Sequence, residues 1–168
     1  MTETISSDIP AELEEAVGRL LRTACDADLK LATAESCTGG LLASLLTDVE
    51  GCSHAFERGF VTYTEEAKTQ MLGVPPEMLE EHTAVSEPVA RAMAEGALAQ
   101  SSADIAVAIT GYAGPTGGEG EEGLVHFACA RRGQVTRHRE AHYGAVGRGR
   151  VRLESLKAAT EMIEEMMA

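Results

Sequence analysis

The sequence of 168 residues has no apolar run near the ~20 residues that a membrane-spanning helix needs. Its first ten residues lack the basic start and apolar centre of a secretory signal peptide. Basic residues are also scarce: 14 Lys and Arg stand against 27 Asp and Glu, for a net charge of −13. Because nucleic-acid binding needs a positive surface, we expect a cytoplasmic protein that binds neither nucleic acid nor membrane.

Cysteine is rare as well, and its positions are scattered: Cys25, Cys37, Cys52 and Cys129. Without short paired spacings they indicate neither a disulfide framework nor a zinc module. His138 and His142 could share a face, and Cys52 and His54 lie close together. No set of four ligands at zinc-type spacing accompanies them, so we expect no metal and no organic cofactor.

The sequence contains no internal repeat, no low-complexity tract and no linker long enough to separate domains. We therefore expect a single domain over residues 1–168, with residues 1–8 flexible. Hydrophobic periodicity and capping patterns predict helices at 9–26, 38–47, 65–72, 75–82, 87–100 and from 147, and strands at 29–34, 58–64, 103–110, 124–130 and 134–142. This order, with a late hairpin closed by a tight Arg-Gly turn, predicts an α/β fold: a three-layer α/β/α sandwich with a mixed, mostly parallel sheet and one antiparallel strand.

The segment TAESCTGGLLASLL puts Ser36 between a strand and a helix. In open α/β sheets ligands bind beyond the carboxyl ends of strands, where a helix N-terminus offers free N–H groups. Gly39 and Gly40 would let the backbone approach a ligand closely. The alternative is structural: Ser36 or Thr38 caps the helix and the glycines only pack.

A second glycine-rich loop, TGYAGPTGG, also follows a predicted strand. If the two strands are neighbours, Thr110, Gly111 and Gly114 lie near Ser36 and the two loops form a crevice. Eight of the 14 Lys and Arg residues fall between residues 131 and 157. That cluster is either a solvated basic face or part of a site for a small anion.

Lys68 is a third candidate, in the segment TEEAK after the strand RGFVTYT. A serine needs a base before it can attack, and a desolvated lysine can serve. No histidine lies near either loop in sequence. The alternative is a surface lysine paired with Glu65. Phosphoryl transfer is disfavoured because the sequence has no G-x-x-x-x-G-K-[ST] loop.

Four segments carry a family resemblance: AESCTGGLLASLLT, RGFVTYTEEAKTQMLGV, HTAVSEPVARAMAEGA and ADIAVAITGYAGPTGG. From about residue 11 to 163 the sequence resembles the C-terminal domain of CinA, the competence/damage-inducible protein, whose stand-alone members are nicotinamide-nucleotide amidohydrolases. The resemblance implies a three-layer α/β/α fold and hydrolysis of the carboxamide of nicotinamide mononucleotide. The nucleotide-hydrolysing domain that precedes this one in full-length CinA has no counterpart in the sequence.

The resemblance also implies roles for particular residues. The nucleophile falls on Ser36, the catalytic lysine on Lys68, and the tyrosine of the VTYxxEAK motif on Tyr63, which would orient Lys68 or relay its proton. Cys37 is then a small buried neighbour of the nucleophile. The residues expected to bind the substrate come from both glycine-rich loops and the basic C-terminal segment: Cys37, Thr38, Gly39, Gly40, Thr110, Gly111, Gly114, Arg148 and Arg150.

Two segments depart from the family pattern. EGEEGLVH replaces a Lys-Pro-Val-Gly-Thr segment, and YGAVGRGRVR lacks the aspartate of a Gly-Asp-Arg element. The altered loop leaves a second hypothesis open, in which the domain binds a nucleotide as a sensor without turning it over. In either case we expect a pyridine nucleotide as the small-molecule partner and a homo-oligomer as the assembly.

Overall fold

The computed structural model describes residues 9–168, so the segment 1–8, which we expect to be flexible, lies outside the described residues. The helices are α1 (Ala11–Asp26), α2 (Leu41–Leu45), α3 (Glu65–Leu72), α4 (Pro76–His82), α5 (Glu87–Ala99) and α6 (Arg148–Met167). The strands are β1 (Leu31–Glu35), β2 (Phe56–Val61), β3 (Ile105–Gly111), β4 (Leu124–Arg131) and β5 (Arg137–His142). From residue 9 onward, no helix has both the length and the apolar character required to cross a bilayer.

The five strands form one sheet in the order β2-β1-β3-β4-β5. β1 runs parallel to both of its neighbours, whereas β4 is antiparallel to both of its own. This confirms the prediction of a mixed, mostly parallel sheet with one antiparallel strand. Because β1 and β3 are parallel neighbours, their carboxyl ends meet at the same edge, where the chain leaves β1 for Ser36.

Helices cover both faces of the sheet and complete the three predicted layers. Along β3, Ile105, Val107 and Ile109 point into the core under α1 and α6, and Ala106 and Ala108 face α5. Such alternation is the period of a strand, and burial on both faces explains the continuous apolar run in the sequence. The small alanine side chains on one face allow α5 to pack close to the sheet.

Element boundaries differ from the predictions by up to about three residues, most of all at α2, β2 and the start of β5. α2 has five residues, about half the predicted helix. The predicted tight Arg-Gly turn is confirmed, because the N–H of Gln134 donates to the carbonyl of Arg131 at 3.0 Å and Gly133 has a φ of 76°, but β5 begins only at Arg137. Thr136, just before β5, is held by α5: it accepts from Arg91 through its carbonyl and donates from its hydroxyl to Glu95 at 2.7 Å. These contacts are distant in sequence, so local turn preferences do not reveal them.

Candidate active site

Ser36 occupies the turn between β1 and α2. Its N–H donates to the carbonyl of Ile109 at 3.0 Å, which ties the turn to the end of β3. Gly39 and Gly40 follow with φ angles of 61° and 94°, a region that residues with a Cβ rarely adopt. The glycine pair is therefore required first by the backbone path into α2.

Glu35, which the sequence reasoning missed, supplies the cap of α2. Its side chain is fully buried, and its two carboxylate oxygens accept from the N–H groups of Leu42 and Ala43 at 2.9 and 3.0 Å. The alternative in which Ser36 or Thr38 caps the helix is wrong, since neither side chain makes a capping bond. An acidic residue just before a helix start was the available clue, because a carboxylate there complements the helix dipole.

Lys68 lies in the middle of α3 and is 1% exposed. Its Nζ is 3.1 Å from Oγ of Ser36 and 3.0 Å from the carbonyl oxygen of Thr62. Burial lowers the pKa of Lys68, and the nearby Cys37 and Glu65 oppose that shift. Within residues 9–168 it forms no ion pair, so the alternative of a surface lysine paired with Glu65 is wrong.

A crevice of about 270 Å³ opens at this edge of the sheet. It is lined by Cys37, Tyr63, residues 111–116, Glu119 and Arg148, so both glycine-rich segments contribute to its lining. The crevice borders the turn that carries Ser36, but Ser36, at 7% exposure, does not belong to its lining. A ligand in the crevice would thus meet a nucleophile that is largely covered by protein.

Three other residues predicted to belong to the site differ from one another in exposure and in their contacts. Tyr63 is 72% exposed, lines the crevice and makes no hydrogen bond to Lys68 in the described part of the chain. Cys37 is buried, and burial raises its pKa to about 11. Thr110 is absent from the lining, because its hydroxyl is buried and donates to the carbonyl of Ala84 at 2.8 Å.

The C-terminal arginines separate into two faces of α6. Arg148 lines the crevice, and a Cβ added at Gly114 would lie 2.5 Å from its Nη2. Gly114 thus leaves room for the guanidinium group in this position, and a Cβ there would displace it. The side chain of Arg150 is 62% exposed and pairs with Glu154 at 2.7 Å, so the structure does not bring Arg150 to the crevice.

Arg152 is a second residue that the sequence reasoning missed. Its Nε donates to the carbonyl of Cys37 at 2.9 Å and thereby joins α6 to the turn beside Ser36. Residues four apart share a helix face, whereas residues two apart do not. The helix predicted from residue 147 therefore held the clue that Arg148 and Arg152 act together and that Arg150 points elsewhere.

Comparisons with known proteins identify the family of the chain. The CinA C-terminal domain family matches residues 11–167. The chain belongs to that family. It is similar to the solved competence/damage inducible protein CihA from Agrobacterium tumefaciens (TM-score 0.92, 44% identity, all of both chains covered). It is also similar to a CinA superfamily protein from Escherichia coli (TM-score 0.86, 36% identity, 98% of this chain and 94% of the other).

Curated relatives in the family fall into two length classes. The chain is 61% identical over 112 residues to a CinA-like protein of Akkermansia muciniphila, a match that covers 66% of this chain but only 27% of that relative. It is 51% identical over 136 residues to the nicotinamide-nucleotide amidohydrolase PncC of Escherichia coli K12, covering 79% of this chain and 81% of the relative. The chain therefore spans about a quarter of the long relative and most of the short one.

The second loop gives this CinA-family crevice an acidic wall. Tyr112 and residues 123–124 close the loop through two backbone hydrogen bonds, and the ring of Tyr112 lies against Gly120, where a Cβ would be 2.7 Å away. Glu119, from the EGEEG departure, lines the same crevice as Arg148. The unusual acidic segment thus contributes one carboxylate, that of Glu119, to the lining of the crevice.

Proposed function

We propose that this chain hydrolyses the carboxamide of nicotinamide mononucleotide to nicotinate mononucleotide and ammonia. The observation that carries the proposal is the buried contact of 3.1 Å between Nζ of Lys68 and Oγ of Ser36. A serine hydroxyl is a weak nucleophile until a base takes its proton, and a lysine whose pKa burial has lowered can be that base. The similarity to PncC, named as a nicotinamide-nucleotide amidohydrolase, supports the choice of substrate.

In the first step Oγ of Ser36 attacks the amide carbon, and neutral Lys68 accepts the hydroxyl proton. The tetrahedral intermediate collapses when Lys68 returns that proton to the amide nitrogen, so ammonia leaves and an ester of Ser36 remains. Water then attacks the ester with Lys68 again as base, which releases the carboxylate product and restores the serine hydroxyl. The carbonyl of Thr62, 3.0 Å from Nζ, positions the lysine for both transfers.

Backbone N–H groups of the turn after Ser36 are the donors for the oxyanion. Gly39 is not available, because its N–H donates to the carbonyl of Ser36 at 3.1 Å. The carbonyl of Cys37 points to Arg152, so the N–H of Thr38 in the same planar peptide points the opposite way. A preorganised donor of this kind is worth about 3 kcal/mol of transition-state stabilisation in other enzymes.

Groups in the crevice match the rest of the nucleotide. The guanidinium of Arg148 can form charge-assisted hydrogen bonds with the phosphate. Tyr63 and Tyr112 offer aromatic faces to the positively charged pyridinium ring. Glu119 would repel a phosphate placed beside it, so we place the phosphate at Arg148 and the acidic wall near the cationic ring.

Release of ammonia tests the proposal directly. We would measure it for nicotinamide mononucleotide, nicotinamide, a dinucleotide and simple amides, with wild-type protein and with Ser36→Ala. We expect turnover that requires the mononucleotide and is lost in the variant. Saturable binding of the mononucleotide without ammonia release would refute the amidase proposal and support the sensor hypothesis.

A further inference from the structure

A second cluster of chemistry-bearing side chains lies on the β4–β5 hairpin, and none of its members lines the crevice. The strand register pairs His126 with Glu140, and His138 lies two residues before Glu140 on the same face of β5. The side chains of His126 and His138 are 9% and 13% exposed, and that of Glu140 is 44% exposed. The cluster is therefore mostly enclosed but reachable from solvent through Glu140.

One atom from each side chain converges on a common point. Nδ1 of His126 is 3.0 Å from Nε2 of His138 and 3.8 Å from Oε2 of Glu140, and the three atoms all lie within 4.8 Å of one another. Ligand atoms bound tetrahedrally to zinc at about 2.0–2.1 Å are about 3.3 Å apart. Small side-chain rotations would bring these three atoms to that separation.

The two ring nitrogens that face each other, Nδ1 of His126 and Nε2 of His138, cannot both carry a proton. At 3.0 Å, two ring nitrogens accommodate a single proton between them, so at least one offers a lone pair. Burial lowers the pKa of His126, which favours the neutral ring that binds a metal ion. A divalent ion could replace the shared proton without unfolding the hairpin.

Acidic partners surround the three side chains in the manner of an outer ligand shell. The carboxylate of Glu87, in the first turn of α5, is 3.6 Å from Nδ1 of His138, on the side of the ring away from His126. The other oxygen of Glu140 is 2.6 Å from His142, whose second ring nitrogen is 2.7 Å from Glu121. Metal-binding histidines usually donate their second N–H to a carboxylate, and Glu87 is the carboxylate on that side of His138, at an ion-pair distance slightly longer than a hydrogen bond.

We infer that His126, His138 and Glu140 form a binding site for a divalent transition-metal ion of the Zn²⁺ type. Two imidazole nitrogens and one carboxylate suit Zn²⁺, whereas Mg²⁺ and Ca²⁺ prefer oxygen ligands alone. Three protein ligands leave a fourth position for water. The bound ion links β4 to β5 and, through Glu87, to the start of α5, so we assign it a role in stabilising this side of the fold.

Titration of chelator-treated protein with ZnCl₂ tests the site by calorimetry. We expect one saturable site in the wild-type protein, no saturable binding at that site in His138→Ala and in the isosteric Glu140→Gln, and a rise of the melting temperature with Zn²⁺ in the wild type alone. Equal melting temperatures of the metal-free proteins establish that the variants fold.

The matched control is His54→Asn, because Nε2 of His54 lies 3.2 Å from Sγ of Cys25, a contact between a ring nitrogen and a metal-binding atom away from the cluster. This control should bind Zn²⁺ as the wild type does. Absence of saturable Zn²⁺ binding, or binding that survives in His138→Ala and disappears in His54→Asn, would overturn the inference.

Discussion

Ser36 and Cys37 are adjacent nucleophiles with different chemical surroundings. Lys68 contacts the hydroxyl of Ser36 at 3.1 Å, whereas burial raises the pKa of the Cys37 thiol to about 11 and keeps it neutral near pH 7. We therefore expect Ser36→Ala to lower kcat for ammonia release by about 10³-fold or more, and Cys37→Ala to keep most of the activity. Steady-state kinetics on both folded variants measure the difference.

The opposite order of activities in these two variants would identify a cysteine amidase. If Cys37→Ala were inactive and Ser36→Ala active, the contact with Lys68 would have no catalytic meaning. Thiol alkylation gives an independent check on the same pair of residues. A neutral buried thiol should react slowly, so rapid inactivation by an alkylating reagent would also contradict the assignment.

The activity should depend on pH, because only the neutral amine of Lys68 can accept a proton. Burial lowers its pKa, so the base is protonated and inactive at low pH and becomes active as the pH rises through that lowered pKa. We expect kcat/KM to rise with pH and to level off well below the ~10.4 of a free lysine. Lys68→Arg keeps the charge but cannot lose a proton, so it should be nearly inactive at every pH. Near-normal turnover in Lys68→Arg would show that a positive charge suffices.

At the scale of elements, α6 divides its arginines between the crevice and the solvent. Arg148 lines the crevice, while Arg150 pairs with Glu154 on another face of the helix. We expect Arg148→Ala to raise KM for the mononucleotide by about tenfold with little change in kcat, since loss of a charge-assisted hydrogen bond weakens ground state and transition state alike. Arg150→Ala is the matched control and should leave KM unchanged. Equal KM values for the two variants would contradict the proposal that Arg148 binds the phosphate.

The packing of α3 against α5 depends on a glycine inside a helix. A Cβ at Gly96 of α5 would lie 1.9 Å from the carbonyl oxygen of Leu72, a backbone atom that cannot rotate away. We expect Gly96→Ala to lower the free energy of unfolding by about 1–3 kcal/mol, although alanine is the better helix former. A Cβ at Gly149 in α6 would meet no neighbour within 4 Å. Gly149→Ala should therefore raise the free energy of unfolding by up to about 1 kcal/mol. Urea denaturation of both variants measures these changes, and a stabilised Gly96→Ala would contradict the packing.

The predictions from sequence succeeded where the information is local and periodic. The face of α1 that carries Leu13, Val17 and Leu21 is buried as its spacing predicts, and the continuous apolar run of β3 is buried on both faces. On α6, Leu156 and Ile163 are buried, and Leu153 and Met167 are partly buried against the same core. α6 packs against both the sheet and α1, so its buried surface is wider than one stripe.

The site could be outlined from sequence, but its contacts could not be. The strand-to-helix position of Ser36 follows from local patterns, and the family resemblance selected Lys68. The bond from Arg152 to Cys37 and the contact of Lys68 with Ser36 depend on how distant segments meet. The same reason explains why spacing along the chain gave no indication of a pair between His126 and His138.

For the molecule as a whole, Lys68 is a polar group that the fold must bury near its core. Its 1% exposure removes the amine from water, and among residues 9–168 only Ser36 and Thr62 accept hydrogen bonds from it. Taking an amine out of water disfavours its charged form, and the protein bears that cost in stability at neutral pH. Residues selected for catalysis often reduce stability in this way.

The pH dependence of unfolding reveals this cost. Because burial lowers the pKa of Lys68 in the folded state, the unfolded chain binds one proton that the folded chain does not, at pH values between the lowered pKa and ~10.4. Stability therefore rises with pH across that window, by at most about 1.4 kcal/mol per pH unit, and the contribution is constant above ~10.4. Lys68→Met removes the titrating group while keeping a side chain of similar size. The gap, defined as the free energy of unfolding of the wild type minus that of the variant, should therefore increase between pH 7 and 10. Urea denaturation at several pH values measures the gap, with Lys157→Met on α6 as the control for the loss of one partly exposed lysine. A gap that stays constant or decreases as the pH rises would show that Lys68 is charged in the folded protein. That result would contradict its role as a base.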